Sequence, residues 1–461
     1  MFDFHNFFRF RLIGIYLFTI LCLPSVLFAQ NKPNIIFLLT DDHRWDALGH
    51  AGNQQIATPV LDSLASQGVY FERAYVTTSI CCVSRASLLS GQYASRHQIN
   101  DFQTDMDTPA VEATYPILLK NAGYKIGFIG KYGVGTQPPE KLYDYWSCTN
   151  EGQPDYFLSR EDGIMIHHTD SVANDIAAFL GRFASQGPFC LSVSFKAPHE
   201  LDGDPPSYPV QQRYADLYRD TYIPKPLTAD PVYWESMPDF FQTEENIGRK
   251  RWRDLFSSDR LYQENTKNYY RLVTGVDEVV GQMMSQLKAL GIAENTLIIF
   301  MGDNGFMMGE HGLEGKWFGF EESIRVPLLI SAPFLSAELR GKSSEMALNI
   351  DIAPTILAAA GIEIPRQMQG INLVDMLKGK APARTSFFYE HTFLGSPQLP
   401  RVEGVVTKDL KYIQYIEHGF EELYDLRADP FETKNLAHEP GESERLSDMR
   451  SAYAKWKEEV K

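Results

Sequence analysis

The sequence predicts an α/β fold: a large, mainly parallel sheet sandwiched by helices, with a smaller C-terminal α+β subdomain. Three observations predict it. Short runs of unbroken apolar residues recur along the chain, stretches with helical spacing separate them, and the spacing changes after Pro365.

The first such run, residues 34–39 (NIIFLL), has the pattern of a strand buried on both faces and leads directly into Thr40, Asp41 and Asp42. Similar runs stand at 126–129, 189–195, 297–301 and 327–331. Between them, residues 272–290 place Leu272, Val276, Val279, Val280, Met283, Leu287 and Leu290 at intervals of three and four, the core-facing stripe of a helix. Residues 202–260, rich in Pro, Tyr, Trp and charge, read as a long surface excursion that lines a cleft. Residues 385–461 read as short strands at 402–407 and 411–415 closed by a helix. The expected division is therefore a leader over 1–29, a catalytic α/β domain over 30–380 and an α+β subdomain over 381–461.

The leader is read from Arg9 and Arg11, which precede an apolar run over 12–28 ending in small residues at Ala29. It predicts an exported protein, periplasmic or secreted, cleaved to begin at Gln30, with no stable membrane insertion. The alternative is an uncleaved anchor, for which the run is only marginally long enough. Bulky Leu21 before Cys22 speaks against lipidation. The remaining cysteines, Cys81, Cys82, Cys148 and Cys190, are too few for a disulfide framework. A formal charge of −16 argues against nucleic-acid binding by a broad basic surface, while leaving room for an anion met by a local cluster of cations.

Asp41, Asp42, Asp303 and Asn304 follow two strand ends and offer the oxygen ligands that a hard divalent cation requires. No His or Cys cluster with zinc spacing accompanies them. The run Cys81-Cys82-Val83-Ser84-Arg85-Ala86-Ser87-Leu88-Leu89-Ser90-Gly91 resembles the defining motif C-x-P-S-R-A-S-L-L-T-G of the type I, formylglycine-dependent sulfatases of the alkaline phosphatase-like superfamily. A second stretch, Asp303-Asn304-Gly305 through Gly309-Glu310-His311-Gly312-Leu313 to Lys316, resembles that family's D-[HN]-G-x-x-x-G-E-H-G-L-x-x-K. The likeness runs over about residues 34–436 and includes Glu322-Ser323-Ile324-Arg325-Val326-Pro327 and Glu422-Leu423-Tyr424-Asp425-Leu426.

The resemblance implies that Cys81 is oxidised by a formylglycine-generating maturation enzyme, and that Asp41, Asp42, Cys81, Asp303 and Asn304 surround a calcium ion. It further implies that Arg85, Lys131 and Lys316 serve the reacting group, Lys316 touching a sulfate oxygen, with His199 of Ala197-Pro198-His199 the candidate general acid. A sulfate monoester repels nucleophiles through its anionic oxygens, so its cleavage needs cations around sulfur and an activated oxygen nucleophile; a metal-bound aldehyde hydrate supplies both.

Two departures stand out. Val83 replaces the motif's proline, and Gly133 occupies the place of a histidine that helps deprotonate the hydrate. His43, His97, His311, a water or a substrate group are the alternatives for that role. The expected substrate is a sulfated carbohydrate, such as algal ulvan, a glycosaminoglycan or their oligosaccharides, with Tyr208, Tyr214, Trp234, Tyr262 and Tyr270 as ring-stacking candidates. Glu200, Asp202, Asp204, Glu390 and His391 are the expected specificity residues. The alternatives are a phosphoester or phosphonate-ester hydrolase of the same superfamily and a catalytically silent carbohydrate-binding homologue.

Overall fold

A computed structural model describes residues 32–461 apart from 150–151, 161, 244, 334 and 395–398, so the leader lies outside the described residues. Eight strands form the central sheet: β1 (Asn34–Asp41), β2 (Val69–Tyr75), β3 (Lys125–Lys131), β4 (Tyr145–Thr149), β5 (Phe189–Pro198), β6 (Thr296–Gly302), β7 (Leu328–Ser331) and β8 (Gly341–Leu348). Their order is β8-β2-β7-β6-β1-β5-β3-β4. All neighbours pair in parallel except at β7, which is antiparallel to both β2 and β6. All five apolar runs are strands of this sheet. Strands β2, β4 and β8, which carry more polar residues at or near the sheet's edges, were not expected.

Alternation along the strands builds two cores. Ile36 and Leu38 of β1, with Leu191, Val193, Ile298 and Phe300 beside them, face one layer of helices: α1 (Pro59–Gln67), α4 (His168–Phe183) and α6 (Asp259–Ala289). Ile35, Phe37 and Leu39, with Ile299 and Met301, face the other: α2 (Cys81–Ser90), α3 (Tyr115–Asn121) and α7 (Ile352–Ala359). A strand covered on both faces has no solvent side, hence the unbroken apolar runs.

Helix α6 begins at Asp259, thirteen residues before the expected start at Leu272, because the Ser258 side chain caps it by accepting from the Leu261 amide. The excursion before it ends close to where it was expected and contains a further helix, α5 (Ile247–Leu255). Tyr208, Tyr214, Tyr262 and Tyr270 are buried, which removes them as sugar-stacking surfaces. They pack with the long helix: Tyr208 lies edge-on to Tyr269, and the Tyr214 hydroxyl meets Glu278.

In the C-terminal region, β9 (Ser386–His391), β10 (Val402–Thr407), β11 (Leu410–Tyr415) and β12 (Phe420–Asp425) form an antiparallel sheet in sequence order, and helix α8 (Ser443–Glu459) packs on it. This sheet shares a third core with Cys81, Cys82 and Val83, so the first turn of α2 is held between the two sheets.

Candidate functional site

In a parallel sheet the C-terminal ends of adjacent strands open on one edge, and polar residues just past them converge. Strands β6, β1, β5 and β3 lie side by side at the sheet's centre, and their ends deliver Asp303 and Asn304, Asp41 and Asp42, His199, and Lys131. Helix α2 brings Cys81 as its first residue and Arg85 one turn later, on the same face. Lys316 arrives on the loop after β6. All nine side chains are buried.

Three cations meet three carboxylates here. Lys131 Nζ lies 2.5 Å from Asp41 Oδ2, and Lys316 Nζ lies 2.5 Å from Asp42 Oδ1. Arg85 donates from Nε to Asp303 Oδ2 at 2.9 Å and from Nη1 to the Lys131 carbonyl at 2.7 Å and to Ser194 Oγ. The remaining Asp303 oxygen accepts from the Asp42 amide at 3.1 Å, across the β1–β6 junction. Asp42 adopts a left-handed φ of 59°, uncommon for a residue with a side chain and tolerated best by Asn and Asp. Burial raises the Asp41 carboxyl, but Lys131, with His199 and Arg85, outweighs it and holds the group well below the usual carboxylate range. Asp303 is pushed up to about 6 by burial and by the neighbouring Asp41.

Asp41 Oδ1, Asp42 Oδ2 and Asn304 Oδ1 are buried and have no hydrogen-bond donor. Buried polar atoms are nearly always paired, so three orphaned acceptors in one cluster fit a hard cation with oxygen preference. Asp41, Asp42 and His199 offer ligand atoms within 4.8 Å of one another. The nitrogen is the less suitable partner for such an ion, and His199 is engaged elsewhere. Its Nδ1 is 2.6 Å from the Glu200 carbonyl oxygen, which only accepts, so Nδ1 carries the hydrogen. Nε2 lies 3.1 Å from Gln153 Nε2 and 3.4 Å from Asp42 Oδ2.

Above the cluster opens a cavity of about 530 Å³, lined by Cys81, His199, Lys316, Gly133, Gln153 and, farther out, Phe102, Asp202, Arg251 and Trp317. Burial raises the Cys81 thiol, more than Lys131 and Lys316 lower it, so an unmodified sulfhydryl here is a poor nucleophile. At Gly133, φ is +70° and an added Cβ would come within 2.9 Å of Arg85 Cδ, so the arginine stem fills the space of a side chain.

None of the three histidines considered as replacements lines this cavity. His43 is buried between Thr40 Oγ1 and the Ala47 carbonyl, His97 bonds Ser87 Oγ and the Ile99 amide, and His311 stacks on Phe320 with ring centroids 4.2 Å apart. Of the specificity candidates, Asp202 lines the cavity and Glu200 lies buried beneath it. Glu390 instead holds the Ser95 amide at 2.9 Å, His391 is buried against Phe393, and Asp204 is exposed outside the lining. Trp234 lies under the Arg249 guanidinium, 4.4 Å away. Sequence reasoning missed Ser194, Gln153, Arg251 and Trp317. Only Ser194 left a signal, as a polar residue inside an apolar strand.

Residues 33–362 match the family model described as Sulfatase, and residues 309–459 match one described as N-sulphoglucosamine sulphohydrolase, C-terminal. The chain is 30% identical to an arylsulfatase of Clostridium perfringens, over 92% of this chain and 94% of the relative. It is 28% identical to an N-acetylglucosamine-6-O-sulfatase of Bacteroides thetaiotaomicron, over 88% of this chain and 83% of the relative. A solved structure in complex with its substrate D-glucosamine-2-N,6-O-disulfate superposes with a TM-score of 0.79 at 26% identity, covering 93% of this chain and 98% of the other.

Proposed function

The chain belongs to the sulfatase family and is a sulfuric ester hydrolase, and from that premise we propose that it is an exported, calcium-dependent enzyme that removes sulfate from a carbohydrate, with Cys81 as the precursor of its nucleophile. The supporting observation is the placement of Cys81 at the cavity floor, amid Lys131, Lys316 and three buried acceptor oxygens without donors.

Asp41, Asp42, Asp303 and Asn304 would hold the calcium, which when bound adds positive charge against sulfate oxygens and lowers the pKa of a nearby hydroxyl. Converted by a maturation enzyme to formylglycine, residue 81 would offer, as the aldehyde hydrate, one hydroxyl to attack sulfur and a second through which sulfate is expelled. The chain's own residues supply the rest. The three cationic side chains balance the three carboxylates, so a divalent cation leaves the floor net positive and suited to an anionic sulfate ester. Lys316 contacts the sulfate from the cavity side. Arg85, pinned by Asp303, Ser194 and the Lys131 carbonyl, fixes the first turn of α2 and so the position of residue 81. With Nδ1–H committed to the Glu200 carbonyl, His199 presents Nε2 to the cavity, where, when Nε2 also carries a proton, the imidazolium can donate it to the departing sugar oxygen.

Export rests on the leader-like residues 1–29; no helix of the described residues is long and apolar enough to cross a membrane. The sugar reading is supported by the relatives that act on sulfated glucosamines. The test is release of inorganic sulfate from sugar sulfates, with an aryl sulfate, an aryl phosphate and a phosphonate monoester alongside. Sulfate release that is lost in Cys81→Ala and on chelation supports the proposal; preferential turnover of the phosphorus esters would favour the phosphoester or phosphonate alternative.

A further inference from the structure

The walls of the cavity differ in charge from its floor. Arg251, on α5, places Nη1 against the buried carboxylate of Glu200 and Nη2 2.8 Å from Asp202 Oδ1, so one guanidinium faces two carboxylates. The Glu200 side chain is 1% exposed and anchors the arginine from within, while that of Asp202 is 52% exposed at the cavity mouth. Beside them, the Arg251 guanidinium lies 5.8 Å from the centre of the Trp317 ring. Trp317 directly follows Lys316 and has a left-handed φ of 88°, a costly conformation for a bulky residue and one that persists at sites where it orients a side chain.

Resting on the carbohydrate sulfatase reading above, we propose that Asp202 and Arg251 form the subsite for the sugar ring: the pair reads two neighbouring ring hydroxyls, and Trp317, only 5% exposed, is a positioning residue that braces Arg251. A carboxylate and a guanidinium side by side offer an acceptor and a donor, and a vicinal diol answers both because each hydroxyl donates and accepts. The buried Trp317 ring beside the guanidinium packs against Arg251 and holds it in place for the pair. Two carboxylates against one guanidinium leave this wall net negative. A ring that carries a second sulfate or a carboxylate at the hydroxyls read there is therefore repelled, whereas the cationic floor draws the sulfate to be cleaved. The substrate class is a sulfated sugar with a free pair of adjacent hydroxyls on the ring bearing the scissile group.

The test measures kcat/KM for N-acetylglucosamine 6-sulfate, its 3-deoxy and 4-deoxy analogues and 4-nitrophenyl sulfate, on wild type and on the Asp202→Asn, Arg251→Lys and Trp317→Leu variants, with thermal melts to establish folding. Wild type should lose roughly tenfold to hundredfold on at least one deoxy analogue, the usual effect of leaving a charged hydrogen-bonding group unpaired. Asp202→Asn and Arg251→Lys should lose a similar factor on the parent sugar and little more on that analogue, since hydroxyl and side chain act as one pair. Trp317→Leu should raise KM for the sugar more than it lowers kcat. The ratio of sugar to aryl sulfate turnover should fall in all three variants. Additive losses, or equal losses on sugar and aryl sulfate, would overturn the subsite and leave the sulfatase reading standing. Cleavage of the aryl sulfate without any sugar sulfate would overturn the subsite and the carbohydrate reading together, and turnover of neither would overturn the proposed function itself.

Discussion

Glu390 was read from the sequence as a specificity residue, and its position gives it a different part. Its carboxylate is buried and accepts from the Ser95 amide and hydroxyl, tying β9 to the segment after α2. Burial pushes it up to about 7 from an ordinary value of 4.5, against the lowering effect of the Ser95 bonds. A carboxyl whose folded-state value lies above its unfolded one is protonated first in the folded protein. Its favourable contribution is therefore complete below about pH 4.5 and is lost as the pH rises through about 7. The size of the effect is about 3 kcal/mol. Glu390→Gln, which keeps an acceptor for Ser95, should flatten the decline in melting temperature between pH 5 and 7.5. An unchanged slope would mean that the group is not the source of the decline. The same residue illustrates why site chemistry outran specificity in the sequence. Asp41, Asp42, Cys81, Asp303, Asn304 and Lys316 stand in contiguous motifs with fixed spacing. The cavity wall, in contrast, joins Asp202 and Arg251 from separate parts of a loop-rich excursion, where one more charged residue reads as solvated.

At the scale of elements, the site depends on how closely the loop after β6 packs. Gly305 follows the two residues proposed as ligands, and a Cβ there would come within 2.2 Å of the Glu322 carbonyl oxygen and 2.6 Å of that of Arg325. Both are backbone atoms and have little room to yield. Gly305→Ala should cost about 1–3 kcal/mol of stability and displace Asp303 and Asn304. The measurements are denaturant unfolding with and without calcium and the rate of sulfate release. Wild-type stabilisation by calcium together with wild-type activity in the variant would contradict the assignment. The strands that carry these loops were legible because each is an unbroken apolar run. Strands β2 and β8 were not, since charged and polar residues break both, Glu72-Arg73 in the first and Lys342 to Glu345 in the second. The start of α6 was also hidden: its first turns are polar, and the Ser258 cap marks it better than any stripe.

For the molecule as a whole, the C-terminal sheet and the site-bearing segments are joined by a buried ionic knot. Lys411 of β11 is wholly buried, with Nζ 2.8 Å from Glu321, 2.7 Å from Glu432 and 2.9 Å from the Gly319 carbonyl. Glu321 lies five residues after Lys316, so the knot braces the loop that bears this lysine. Removing one member strands buried carboxylates, and Lys411→Met should cost about 3–5 kcal/mol, read by chemical unfolding. A loss below about 1 kcal/mol, the range of exposed pairs, would show that the knot does not hold the sheet in place. The sequence told of strands and a closing helix here, but not of this contact, because pairing between distant charges leaves no periodic trace.

The proposed chemistry converges on residue 81, where a buried thiol held neutral is of little use and an aldehyde hydrate answers the demands of sulfate transfer. The most direct measurement is peptide mass spectrometry across Cys81 on protein taken from its native host. The account predicts the mass loss of conversion from thiol to aldehyde at that residue, with Cys82 unchanged. An intact thiol at Cys81 in that material would contradict it and turn attention to a silent carbohydrate-binding role.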